Sequence, residues 1–168
     1  MARPTSRPRD LVSVLAKFRR DYEEMYDSSL DGHCDAFAIA LAEALGTSDP
    51  EPYLIIQRTR TGEDTGRVLD DNPLSHVALG YAGETWDSSG PEAFERWEEN
   101  WVQPDADEEV EPSRDTFEGV WLSQQKMRDL RRQRDSRPPS AQHIAKFKAA
   151  LRSCGIESVV AAGPRRST

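Results

Sequence analysis

Three side chains in this sequence could share one reaction. Cys34 stands in Gly32-His33-Cys34-Asp35, His76 in Ser75-His76-Val77-Ala78-Leu79, and Asp87 in Trp86-Asp87-Ser88-Ser89-Gly90. A thiol attacks a carbonyl as its thiolate, and an ordinary cysteine is mostly protonated at neutral pH. A histidine within hydrogen-bond reach accepts that proton and returns it to the leaving group. An acid on the far side of the ring fixes its tautomer and orientation. Cysteine, histidine and aspartate therefore read as nucleophile, base and orienter. Each also has a plainer reading when taken alone. Cys34 is then a small core residue, His76 a histidine opening a strand, and Asp87 a turn aspartate. His33 competes as the base, but adjacent residues on a helix do not face each other. His143 lies in the C-terminal part of the chain and is the weaker alternative.

The elements that would position these groups can be read from periodicity. From Asp10 to Tyr26, apolar residues at Leu11, Val12, Leu15, Phe18, Tyr22 and Met25 mark an amphipathic helix with Asp10 as its N-cap. Residues 27–32 read as a turn, with Asp31 placed to cap the next helix. The stretch from His33 to Leu45 is apolar nearly all round, which marks a buried helix, and Gly46 closes it. Cys34 would then sit in the first turn, where unpaired amides and the helix dipole favour an anion. Asp35 reads as an ordinary first-turn acid.

Residues 53–57 read as a strand, 58–72 as a loop or ragged hairpin, and 75–81 and 84–87 as a hairpin turning at Ala82-Gly83 and ending at Ser88-Ser89-Gly90-Pro91. A short helix over 92–101 and a strand over 116–122 complete the sheet region. Beyond that, helices are expected over 123–135 and from Ser140 to Gly155, with Val159-Val160 as a last short strand. The fold class is α+β: a buried cysteine-bearing helix on a small antiparallel sheet. The expected division is a domain over 9–122, a helical C-terminal extension over 123–160, and polar tails at 1–8 and 161–168.

The three segments together resemble the papain-like superfamily of cysteine hydrolases. Their Cys-His-Asp order is that of its transglutaminase-like and NlpC/P60-like branches. The resemblance spans residues 28–90. It implies Cys34 as nucleophile, His76 as general base and acid, and Asp87 as orienter, acting on an amide, isopeptide or thioester carbonyl through a Cys34 thioester. Peptidase, amidase, deamidase and transferase chemistries all stay open, on a protein or peptide-like substrate, and no cofactor is implied. Compact domains of this kind also occur in phage and mobile-element proteins. Papain-like peptidases often carry a glutamine before the cysteine to complete the oxyanion hole. Here those positions hold Ser28, Ser29 and Asp31, so Ser29 is the candidate donor. Trp86 is either a substrate wall or a core residue.

Composition bounds the rest. The 168 residues carry a formal charge of −8, which argues against nucleic acid as the partner. Two cysteines make no disulfide framework and suit a reducing, cytoplasmic setting. The N-terminus lacks the apolar core of a signal peptide, and no run suits a membrane span. No Cys-x-x-Cys or His-x-x-x-His spacing marks a metal site. Between Glu92 and Glu118, eleven acids face only Arg96 and Arg114, a local charge of −9. That run is a solvated loop, a clamp on the basic 126–137 segment, or a surface for a basic partner. The last of these supports an alternative function, a non-catalytic interaction protein using residues 92–118.

Overall fold

A computed structural model describes residues 9–46, 53–63, 65–92, 113–133 and 139–161. The α+β class is as the sequence implies. Helices α1 (Arg9–Asp21), α2 (Glu23–Leu30) and α3 (Cys34–Leu45) precede a five-stranded sheet. Its strands are β1 (Tyr53–Gly62), β2 (Val68–Tyr81), β3 (Glu84–Asp87), β4 (Gly90–Glu92) and β5 (Ser113–Leu122). Helices α4 (Gln124–Gln133), α5 (Ala141–Ser153) and α6 (Ile156–Ala161) complete the described chain. All strand pairs are antiparallel, in the spatial order β4-β3-β2-β1-β5.

The core forms around α3. Ala36, Phe37, Ala38, Ile39, Ala40 and Leu41 are all buried, because sheet and helices surround this helix. Its all-round apolar surface needs that arrangement. Gly46 closes it at φ 67, with its amide on the Ala42 and Glu43 carbonyls. Phe18 of α1, Phe37 of α3 and Phe147 of α5 meet as an aromatic trio, with the Phe37 and Phe147 rings 5.4 Å apart and edge to face. Phe147, Ala150, Leu151 and Ile156 belong to the same core as Leu11 and Leu15. The segment read as a C-terminal extension therefore supplies one side of the central core.

Several expected boundaries change. The first helix breaks at Tyr22 and resumes through Leu30, so residues 27–30, expected as a turn, form the last turn of α2. Asp10 lies inside the first turn of α1 and is not its N-cap. Asp31 closes α2 through its backbone, and His33, not Asp31, is the N-cap residue of α3. Gly32 makes this tight link possible at φ 88, a conformation a β-carbon disfavours. The loop expected over 58–72 is largely the paired arms of β1 and β2. Ser88-Ser89-Gly90-Pro91 does not end the sheet, because Gly90–Glu92 adds β4, and Glu92 is thus in a strand. Val159-Val160 lies in α6 instead of a strand, since Ile156 and Val159 bury together at helical spacing. Ser140 caps α5 as expected, its hydroxyl accepting the His143 amide. The helix expected over 92–101 beyond Glu92, most of the acidic run, and the tails up to residue 8 and from 162 lie outside the described residues.

The shared core gives a direct expectation. Phe147→Ala removes a ring that is 2% exposed, and should cost about 3–5 kcal/mol of stability. Urea denaturation should show that loss in one cooperative transition covering the whole protein.

Candidate active site

His76 and Asp87 come together through the sheet register. β2 and β3 pair Leu79 with Trp86, Gly80 with Thr85 and Tyr81 with Glu84. Continuing that ladder sets Asp87 against Ala78, and His76 lies two residues further along the same face. Such diagonal neighbours are within reach of long side chains. The His76 ring uses this position, with Nε2 3.1 Å from Asp87 Oδ2 and both residues buried. Just before His76 the β1–β2 register slips, so that Ile56 pairs with His76 but Arg58 pairs with Asn72. The additional residues are on β2 and include Pro73, which has no amide to give a ladder. A bulge of this kind bends the strand and re-aims the residues beyond it.

The acid is held by more than the histidine. Asp87 Oδ1 accepts the Ser89 amide at 2.7 Å, folding residues 87–89 into a tight turn. The first two helices then grip that turn. Arg19 Nη1 donates to the Ser89 carbonyl, and the Tyr26 hydroxyl lies 3.2 Å from Ser89 Oγ. Ser29 Oγ is 2.6 Å from both the Tyr26 carbonyl and Ser88 Oγ. A carbonyl only accepts, so the Ser29 proton goes to Tyr26 and Ser88 donates to Ser29. Ser29, the expected oxyanion donor, is thus occupied in fastening the Asp87 turn to α2. Gly90 leaves the turn at φ 111.

Cys34 is the first residue of α3 and is 6% exposed. Its amide is one of the N–H groups at a helix start that find no carbonyl within the helix. Cys34 is also among the groups that act on the His76 ring. Burial would lower the His76 pKa. The hydrogen bonds to Asp87 and Cys34, and the charges of both, outweigh it and raise the value to about 9. The ring is then an imidazolium at neutral pH.

Trp86 lies away from this group. Strand alternation turns it to the other face of β3 from Asp87. It is wholly buried, and its indole N–H donates to the Tyr81 carbonyl at 2.9 Å. Trp86 is a core residue that ties the β2–β3 hairpin, not a substrate wall. Cys34 and Cys154 are both free thiols, and burial pushes the Cys154 thiol above its ordinary value.

Two neighbours of Cys34 have partners that the sequence did not reveal. His33 stacks on His143 of α5, with ring centroids 3.9 Å apart. Asp35 is buried, accepts the Ala36 amide at 2.8 Å, and pairs with Arg131 of α4. Among the described residues, no cluster of three or more metal-ligating side chains occurs, and no helix is long and apolar enough to cross a membrane. No family model, curated protein or solved structure matches this chain.

The raised His76 value gives stability a defined pH dependence. Protonated His76 is favoured in the folded state, so its contribution is fully present below about 6.5, the unfolded value, and is lost as pH rises through about 9. That difference is on the order of 3 kcal/mol. Denaturant unfolding at pH 6 and pH 9.5 should show the fall in the wild type, and His76→Gln should largely remove it.

Proposed function

We propose that this protein is a cysteine-dependent hydrolase or acyltransferase of papain-like type. The observation that carries the reading is the buried His76–Asp87 hydrogen bond beside a cysteine that opens a helix. The Cys34 thiolate attacks an amide, isopeptide or thioester carbonyl, and the Cys34 amide stabilises the oxygen as it gains charge. His76 gives its proton to the leaving group, leaving a thioester on Cys34. It then takes a proton from water or an acceptor amine as that nucleophile attacks the thioester, and the thiolate is released. Asp87 keeps the ring turned toward the sulfur throughout.

A protein or peptide-like carbonyl is the proposed substrate class. The two free cysteines suit a reducing compartment, and we place the protein in the cytoplasm.

Iodoacetamide provides the test. Cys34 should alkylate at pH 6–7 at least about tenfold faster than a free thiol. His76→Ala should remove most of that advantage, and Asp87→Asn part of it. Cys154, buried and with its thiol pushed up, should remain slow in the same digest. If Cys34 reacts no faster than Cys154, and does so independently of His76, the reading fails.

A further inference from the structure

The residue after Cys34 poses an electrostatic problem. Asp35 lies in the first turn of α3, is 1% exposed, and puts one carboxylate oxygen on the Ala36 amide. A carboxylate there competes with a thiolate for the positive end of the helix. It also places a like charge one residue from the sulfur, which disfavours the anion.

The chain answers with Arg131. Arg131 reaches from the last turn of α4, and its Nε lies 2.5 Å from Asp35 Oδ2. The two atoms lack the alignment of a good hydrogen bond, so the contact is an ion pair. The arginine side chain is only 18% exposed, so solvent screens the pair weakly. Burial pushes the Asp35 carboxyl above its ordinary value, against the opposing pull of Arg131 and the Ala36 amide. Arg131 is therefore what favours the ionised carboxylate while cancelling its field. A buried ion pair is seldom a gain in stability over apolar residues of the same volume, which leaves its position beside Cys34 as the feature to explain.

We infer that Arg131 is a positioning residue for Cys34, which offsets the Asp35 carboxylate and so keeps the start of α3 available to the thiolate. This rests on the reading of Cys34 as the nucleophile. Among the described residues, the other charged or titratable groups around this turn include His76 of β2 with Asp87 of β3 behind it, His33 on the turn itself, and His143 of α5 with Lys146 nearby. Asp27 of α2 and Asp31 after it are exposed. Of these groups, Arg131 is the one paired directly with Asp35.

The test is the pH profile of Cys34 alkylation by iodoacetamide, measured by mass spectrometry in the full-length protein. Asp35→Asn leaves the arginine charge alone beside the sulfur, and should move the profile about one pH unit lower. The double variant Asp35→Asn/Arg131→Gln should return it to the wild-type position. Arg131→Gln alone should not move it lower, because it leaves a buried carboxyl that either opposes the thiolate or takes up a proton itself. A purely structural ion pair would slow all three variants without separating them by charge. Coincident profiles for Asp35→Asn and the double variant, or a downward shift in Arg131→Gln, overturn the inference. If Arg131→Gln does not fold, the separation between the other two decides alone. His76→Ala, run in parallel, reports on the nucleophile itself. Labelling that ignores His76 overturns the proposed function, whereas His76-dependent labelling without charge separation overturns only the role of Arg131.

Discussion

The arrangement turns on one buried hydrogen bond, between His76 and Asp87. A carboxylate and an imidazole taken out of water are costly unless each finds a partner of good geometry. The sheet supplies the approach and the helices supply the fixation. β2 and β3 set the register, and the bulge at Pro73 precedes the histidine. Arg19, Tyr26 and Ser29 then hold the turn that carries the acid. The amphipathic pair α1–α2 therefore does more than cover a core: its polar edge determines where Asp87 sits. A shift of that turn would leave both a buried acid and a buried histidine short of a partner.

A similar use of distant contacts marks the other end of the proposed site. The first turn of α3 places its residues against remote parts of the chain. His33 stacks with α5, Cys34 interacts with β2 through His76, and Asp35 pairs with α4. Below that turn the helix is anchored by the Phe18, Phe37 and Phe147 rings. The apolar contacts fix the helix along its length, and the polar ones fix its start.

Much of this was legible in the sequence, for identifiable reasons. The α3 segment combines continuous apolar residues with a closing glycine, a pattern few other structures satisfy. The β2–β3 hairpin was legible because Val77, Ala78 and Leu79 and then Trp86 flank a short glycine turn. The outer arms of β1 and β2 were not. Residues such as Arg58, Arg60, Asp70 and Asp71 are polar, and Pro73 argues against a strand, so pairing there depends on the neighbouring strands more than on local preference. Val159 and Val160 misled in the opposite direction, because burial against the core at helical spacing overrode β-branched propensity. Trp86 was placed next to Asp87 in sequence, yet adjacent residues in a strand face opposite ways. The contacts that Ser29 and Arg131 make were not legible, since no local pattern announces a partner from a distant element.

The aromatic trio has a consequence for synthesis on the ribosome. Phe18 and Phe37 emerge early, but Phe147 arrives only after the whole sheet has been made. At ordinary translation speeds of about 5–20 residues per second, the wait between the second and third rings is on the order of ten seconds. During that interval one flank of a helix that is apolar nearly all round has no cover from its own chain. The nascent protein's exposure to aggregation is thus governed by the arrival of α5, far downstream of the helix it protects.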